Sequence, residues 1–315
     1  MRTASARCVQ PSTERPQPGT GRPQPGTGRA GQISYGASAS FHGNAVLAKL
    51  SRSLTIALAF CLASSVLSAA GRPPKTSTGS SDSSSESTLP SGRGALRQIV
   101  QDQCVINWQQ HHDPDPCERV VLAGKGSDVG YALLGDPGGG AHYLLVPTQA
   151  MAGTESGELL DPDAPNYFAD AWHARELLSK FVGHEVPRAA IALVVNTARA
   201  RAYDQYSIHI ECLRQDVYDS LRRSAEQVTS VWAPLDVGGA TFHALKIAGE
   251  GLDGANLYEL LASLTPDTAR HMGDYTLIAA GAQFKSGPGF IVLTGTGPSG
   301  EILLDSSCAA AGGGG

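Results

Sequence analysis

Acidic side chains are almost absent from the amino-terminal quarter of the chain. Residues 1–75 hold 9 Lys and Arg but only 1 acidic residue, whereas residues 76–315 hold 15 basic and 28 acidic residues. An acidic body is poorly suited to the phosphate backbone of a nucleic acid, so the asymmetry argues against a nucleic-acid-binding body. The basic amino-terminal region instead suits a chain end that stays at the cytoplasmic face of a membrane.

The chain also lacks the cysteine spacing of a zinc site. None of its 6 cysteines forms a Cys-x-x-Cys pair, and the sequence offers no convincing metal cluster. Four of these cysteines lie in the folded body, at positions 104, 117, 212 and 308. In an exported protein they favour disulfides over a zinc site, and they permit three pairings. Cys104 and Cys117 flank a short turn-rich loop, residues 113–116, which favours a bridge between them. That bridge leaves Cys212 to pair with Cys308.

Composition divides the chain into five segments. Residues 1–45 are so rich in Pro and Gly that we expect them to be disordered or untranslated. Residues 46–70, basic and then apolar, are typical of a signal peptide or a single membrane anchor. Residues 71–94 predict a flexible linker, residues 95–308 a folded body, and residues 309–315 a flexible tail.

The amino-terminal segments predict export in either case. We expect a single pass through a bacterial inner membrane with a periplasmic body, or secretion to the periplasm after signal cleavage. In both cases the body faces an oxidising compartment.

The segment Tyr203–Cys212 dominates the folded body. It alternates with a period of two, and one face carries four polar side chains: Gln205, Ser207, His209 and Glu211. Such alternation predicts a half-buried strand, and on pattern alone the polar face is most often solvated. An apolar run just upstream, residues 191–195, predicts the partner strand of a hairpin.

The remaining pattern mixes strands with a few helices. A helix is predicted over residues 166–182 and is ended by Gly183, and a second is predicted near residues 257–264. We therefore predict an α+β fold, an antiparallel sheet with packed helices whose two halves form one compact body. The second half, from about residue 232, is expected to pack on the first and to wall off part of its pocket.

A glycine-rich segment near the carboxyl end imitates a phosphate-binding loop. Residues 295–300 fit Gly-x-Gly-x-x-Gly and follow a predicted strand. Because Glu301–Leu304 reads as another strand, no helix amino terminus is available for a pyrophosphate. We interpret the segment as a hairpin loop.

The segment 203–212 resembles the histidine-triad motif, His-x-His-x-His, as it occurs in the CDP-diacylglycerol pyrophosphatase family, where it also runs into Ile-x-Cys. Further short motifs of that family follow in the same order over about residues 95–308: Leu96–Val100, Tyr143–Thr148, Gly153–Ser156 and Ala269–Gly273. The resemblance implies a histidine-triad-like fold. It also implies hydrolysis of CDP-diacylglycerol, a membrane lipid, to CMP and phosphatidate without a cofactor.

The resemblance assigns the triad positions to Gln205, Ser207 and His209, our candidate catalytic residues. In the family the middle histidine attacks the phosphorus next to the nucleoside, and water then cleaves the nucleotidyl-histidine. Here Ser207 replaces that nucleophile. The alternative is therefore a degenerate member that binds a nucleotide or lipid head group without turnover.

Further candidates surround the triad positions. A nucleophilic Ser207 needs a base, but His209 lies about 6.6 Å further along the strand, too far for a direct hydrogen bond. A histidine from elsewhere, with His142 as the first candidate, is the other route, although a solvated histidine at a strand end looks the same in sequence. Asn196 matches a pocket-edge position of the family or closes the hairpin as a turn residue. Arg201 either meets the pyrophosphate or is a solvated loop residue.

Overall fold

The computed structural model describes residues 90–312 except 125, 137 and 298. The predicted disordered segment, the signal or anchor segment and nearly all of the linker therefore lie outside the described residues. Among the residues it does describe, no helix is long and apolar enough to span a bilayer.

The sheet is continuous and antiparallel, with nine strands in the order β1-β2-β3-β5-β4-β8-β9-β7-β6. The predicted α+β class is confirmed. The strands are β1 (Arg119–Leu122), β2 (Gly130–Gly135), β3 (His142–Pro147), β4 (Ile191–Val195), β5 (Ile208–Cys212), β6 (Ala233–Val237), β7 (Ala240–Ala248), β8 (Thr276–Phe284) and β9 (Gly287–Gly295).

Short helices cover the sheet. They are α1 (Ala95–Gln98), α2 (Ile106–His111), α3 (Tyr167–Ala174), α4 (Glu176–Val182), α5 (Gln215–Ser224), α6 (Leu257–Ala262) and α7 (Ala309–Gly312). A π-helical stretch, Ile99–Val105, joins α1 to α2. Because α7 occupies residues 309–312, the prediction of a flexible tail from residue 309 is wrong for those four residues.

The single helix predicted over residues 166–182 is in fact two. Asn166 caps α3 by accepting a hydrogen bond from the backbone N–H of Ala169 (3.1 Å), and Gly183 ends α4 in the left-handed region (φ 79°). The break falls at Arg175, whose guanidinium donates to the carbonyl of Trp172 (2.5 Å). That carbonyl also accepts from the backbone N–H of Arg175, three residues on, so the regular helical bonding pattern is interrupted.

The predicted hairpin is confirmed, but its second strand is shorter than expected. β4 and β5 pair antiparallel, with Ile191 opposite Cys212 and Val194 opposite His209. β5 begins only at Ile208, so Gln205 precedes it. The Gln205 amide donates to the carbonyls of Pro147 (3.1 Å) and Gln149 (2.9 Å), which holds this part of the chain against the end of β3 as a loop.

The second half of the body extends the sheet instead of packing on the first half as a separate layer. β8 pairs with β4, with Ala192 opposite Ala280 and Val195 opposite Leu277. The shared sheet joins the two halves through backbone hydrogen bonds. Among the residues that the structure describes, the second half reaches the site through the turn that follows β9.

The two faces of the sheet are covered differently. One face packs against a large apolar cluster that includes Leu145, Ile210 and Trp172. The opposite face carries two separate clusters, one around Val194 under α5 and the other around Val146 under the α1–α2 segment. Polar side chains of β3 and β5 fill the gap between these two clusters, and the candidate site lies there.

Two disulfides stabilise the body, Cys104–Cys117 and Cys212–Cys308. This is the pairing that the sequence favours. The first ties the π-helical stretch to the loop before β1, and the second ties the end of β5 to the carboxyl-terminal region.

Candidate active site

Two histidines from neighbouring strands meet in the gap on the second face. In the register of β3 and β5, Leu144 lies opposite His209 and His142 lies opposite Glu211, so the two histidines are diagonal neighbours. Nε2 of His142 lies 3.0 Å from Nδ1 of His209. The rings are nearly parallel, at 4°, and their centroids are 5.2 Å apart. The ring centroids are farther apart than the two contacting nitrogens by about the diameter of one imidazole ring. The rings therefore meet edge to edge, with the two nitrogens at the shared edge. They form a hydrogen-bonded imidazole pair.

The histidine pair opens into a cavity of about 260 Å³. The structure brings all six sequence-predicted catalytic and binding residues to its lining: His142, Asn196, Arg201, Gln205, Ser207 and His209. The pattern alone suggests a solvated polar face, but the structure buries it. The His209 side chain is only 14% exposed, and the residue Glu211 is 7% exposed. His142 is half-buried and hydrogen-bonded, so its interpretation as a solvated strand-end histidine is wrong.

One wall of the cavity is apolar. It is formed by side chains from the α1–α2 segment and from β2 and β3: Leu96, Ile99, Leu134 and Leu144. The cavity therefore offers a polar side with two imidazoles and an apolar side, which matches an amphipathic ligand.

Glu301 completes the polar side, and sequence reasoning missed it. The predicted strand Glu301–Leu304 is wrong, because Gly300–Leu303 forms a 3₁₀ turn that directs Glu301 toward the histidines. Oε1 of Glu301 lies 3.3 Å from Nε2 of His209. A Cβ at Gly300 would clash with Val194 and Thr276 on the sheet, so the turn can pack there only with glycine. That glycine, the last of the Gly-x-Gly-x-x-Gly segment, was the signal available in the sequence.

Asn196 links this turn to His209. Its Oδ1 accepts from the hydroxyl of Ser299 (2.7 Å) and from the backbone N–H of Gly300 (3.1 Å). Since a backbone N–H can only donate, the orientation of the amide is fixed. Its Nδ2 then donates to Glu301 and lies 3.4 Å from Nε2 of His209. Asn196 is therefore buried, and its hydrogen bonds link the end of β4 to the 3₁₀ turn. Its role goes beyond that of a residue that closes the hairpin.

The contacts of His209 assign its tautomer. Nε2 of His209 lies 3.3 Å from the Glu301 carboxylate, an acceptor, and 3.4 Å from Nδ2 of Asn196, a donor. We assign the proton to Nε2 because the carboxylate is the nearer group and Nδ2 already donates to that carboxylate. Nδ1 then carries the lone pair, and it accepts from Nε2–H of His142. The other nitrogen of His142, Nδ1, lies 3.6 Å from Oδ2 of Asp136 at the exposed rim of the cavity. The result is a chain of groups from Glu301 through His209 and His142 to Asp136.

Burial sets the protonation of the interior groups. It lowers the pKa of His209 to about 4, an effect that Glu301 opposes and His142 increases. It also raises the pKa of Glu211 to about 8, and the negative charges of Glu301, Asp305 and Asp136 add to that rise. At neutral pH, His209 is therefore a neutral acceptor, and Glu211 beside it is mostly an uncharged acid.

Ser207 does not form a dyad with His209. Both ring nitrogens of His209 face other groups, and among the described residues the Ser207 hydroxyl has no hydrogen bond with the histidine. The register of β4 and β5, continued beyond the strands, places Ser207 beside Asn196. Ser207 therefore lines the cavity as a small residue.

Arg201 lines the cavity with its charge already paired. Its guanidinium forms a salt bridge with Glu155 and is only 17% exposed. A Cβ at Gly153 or Gly273 would overlap the Glu155 carboxylate, so these two motif glycines make room for the ion pair. Arg201 is neither a freely solvated loop residue nor a free cation.

The sequence comparison agrees with this architecture. The chain matches the sequence model of the CDP-diacylglycerol pyrophosphatase family over residues 91–312, which spans nearly all of the described fold and the whole cavity.

Proposed function

Because the chain belongs to the CDP-diacylglycerol pyrophosphatase family, we propose that it hydrolyses the pyrophosphate bond of CDP-diacylglycerol to CMP and phosphatidate. The observation that carries this proposal is the His142–His209 pair, which stands on the polar side of the cavity at the family's motif strand. Imidazoles are well suited to this reaction because one ring nitrogen can accept a proton while the other donates one.

The shape of the cavity supports a nucleotide-lipid as substrate. Such a molecule has a charged pyrophosphate in the middle and an apolar end. The imidazoles and Arg201 line the polar side, where the pyrophosphate would bind, and Leu96, Ile99 and Leu134 line the apolar side, where the first part of the glyceride would lie. Substrate and phosphatidate both belong to a membrane, so the body works next to one.

A second function, binding of a nucleotide or lipid head group without turnover, is favoured by one observation. Ser207 stands where the family carries its nucleophilic histidine, and it forms no dyad with His209. We place hydrolysis first because another imidazole, that of His142, contacts the remaining triad histidine directly.

A substrate panel tests the proposal. The purified full chain is given CDP-diacylglycerol in detergent micelles, or an ADP-sugar, and the nucleotides and lipids released are identified. We expect CMP and phosphatidate from the lipid, with CMP release reduced on the order of 100-fold or more in His209→Gln, as for loss of an acid–base group. Failure to release CMP, or faster cleavage of the ADP-sugar, would contradict the assignment.

A further inference from the structure

We propose that His142 and His209 form a proton relay that activates water directly, in place of the covalent chemistry that residue 207 can no longer perform. This inference rests on the proposed hydrolysis and specifies how it occurs. It starts from the 3.0 Å contact between the two imidazoles and from the position of His142 in the sheet.

His142 cannot take the place of the missing nucleophile. It lies opposite Glu211, whereas residue 207, immediately before β5, lies on the other side of His209 along the chain. Four residues of extended strand separate the positions of Ser207 and Glu211, a distance of about 13 Å. The imidazole of His142 therefore meets a bound phosphate from a different side than a histidine at position 207 would.

The two nitrogens of His142 have different roles. Nε2 is committed to His209, so Nδ1 is the nitrogen that is free to react. Nδ1 and Oδ2 of Asp136 are 3.6 Å apart, too far for a direct hydrogen bond, but both can accept from one water between them at the rim. A water molecule in this position can donate one hydrogen bond to Nδ1 of His142 and one to Oδ2 of Asp136. A phosphoryl group placed against Nδ1 would instead face the negative charge of Asp136. The geometry favours water as the attacking group.

Protons and electrons balance when the reaction proceeds through His142 and His209. The water oxygen forms a bond to the phosphorus next to cytidine, and its proton passes to Nδ1 of His142. The proton on Nε2 of His142 moves to Nδ1 of His209, whose imidazolium is stabilised by Glu301 at 3.3 Å. The bond from that phosphorus to the bridging oxygen breaks, and phosphatidate leaves with the bonding electrons. His209 then returns its proton to His142, and Nδ1 of His142 releases one to solvent.

The surrounding charges fit this sequence of transfers. Glu301 holds His209 in the tautomer that accepts at Nδ1, and Asn196 holds Glu301 in place by donating a hydrogen bond to its carboxylate. Glu211, 3.9 Å from Nε2 of His142, is a further acidic side chain at the pair, beside Glu301 and Asp136. Because Glu211 is mostly protonated at neutral pH, it does not accept the proton on Nε2 of His142. That proton therefore passes to His209.

Kinetics of His142→Gln test the relay, with His243→Gln on the exposed face of β7 as the matched control. We expect turnover of CDP-diacylglycerol at saturation to fall about 10²- to 10⁴-fold in His142→Gln, with KM within a few-fold of wild type. The control should keep wild-type values, and both variants should show the wild-type melting temperature.

Stereochemistry gives a second test that uses the unaltered chain. CDP-diacylglycerol carrying one sulfur of known configuration on the cytidine phosphorus is hydrolysed in H₂¹⁸O, and the configuration of the CMP thiophosphate is read by ³¹P NMR. One direct attack by water inverts the phosphorus, whereas a nucleotidyl-enzyme gives retention. Retention, or an active His142→Gln, would overturn the relay and leave the proposed hydrolysis standing. A wild-type chain without CMP release would overturn both.

Discussion

The imidazoles of His142 and His209 share a 3.0 Å hydrogen bond although the residues are 67 positions apart in sequence. Strands β3 and β5 make the contact, because their antiparallel register sets the two side chains diagonally on one face. Glu301 approaches the same pair from the far end of the chain. The site is therefore built by the sheet, and its two described imidazoles come from different strands, His142 from β3 and His209 from β5.

Replacement of Ser207 by histidine should increase hydrolysis of CDP-diacylglycerol. The side chain of residue 207 lines the cavity, so an imidazole there supplies the nucleophile that the natural chain lacks. We expect turnover at saturating substrate to rise about tenfold or more, while Ser207→Gln, a side chain of similar size without an imidazole, should give no increase. If Ser207→His slows hydrolysis, the triad alignment is the wrong description of this site.

The same substitution should compensate for the loss of His142. In the double variant His142→Gln, Ser207→His, the restored nucleophile makes the relay unnecessary for the first step. Release of CMP should therefore rise well above that of His142→Gln alone. A double variant as slow as the single one would argue that His142 supports the fold of the pocket and has no part in proton transfer.

Folding stability should decrease between pH 6.5 and 8. The pKa of Glu211 is raised from 4.5 to about 8 by burial, so in this window the folded chain holds a proton that the unfolded chain has released. Stability then falls by about 1 kcal/mol per pH unit. His209, whose pKa is lowered from 6.5 to about 4, has the opposite effect only at lower pH, where stability rises with pH between those two values.

Urea unfolding at several pH values measures this slope. Glu211→Gln keeps the shape of the protonated acid and cannot ionise, so it should flatten the curve between pH 6.5 and 8. An unchanged slope in the variant would show that Glu211 does not carry the proton.

The two disulfides should differ in their contribution to stability. Cys212–Cys308 closes a loop with a sequence separation of 96, whereas Cys104–Cys117 spans 13. In the chain-entropy model the first contributes about 4–5 kcal/mol and the second about 3 kcal/mol. Urea unfolding of the paired Cys→Ala variants compares them. Equal losses, or free thiols at these positions in non-reducing peptide maps, would contradict this account.

Export is predicted from the basic and then apolar segment at residues 46–70. A periplasmic phosphatase fused after Gly94 should be active, because the segment carries it across the membrane. A reporter that works only in the cytoplasm should be silent at the same junction. The reverse pattern would place the body in the cytoplasm and would leave its disulfides without an oxidising compartment.

Local periodicity was sufficient to predict the hairpin and the polar face of its second strand. The side chains of β5 alternate strictly, and the apolar run of β4 has no competing interpretation, so both strands follow from neighbouring residues. The start of β5 did not follow, because Gln205 is held by carbonyls at the end of β3, which is distant in sequence. The break in the long helix falls at Arg175, whose guanidinium donates to the carbonyl of Trp172, and helical periodicity does not reveal that contact.

The partners of His209 were harder to predict than His209 itself. The contact with His142 depends on the register of β3 against β5, and no spacing within either strand specifies that register. Asn196 and Glu301 are 105 residues apart, and the turn that brings them together looked like a strand. Long-range pairing decides both contacts, and a single sequence carries little direct information about it.

A quench experiment with enzyme in excess over substrate tests the central claim most directly. CDP-diacylglycerol is mixed with a severalfold excess of the purified chain, the reaction is stopped after successive intervals, and intact lipid and CMP are quantified. If the chain is a hydrolase, all of the bound substrate is converted to CMP and phosphatidate. Recovery of intact CDP-diacylglycerol from a chain that has bound it would show a binding protein without turnover, and would contradict the account.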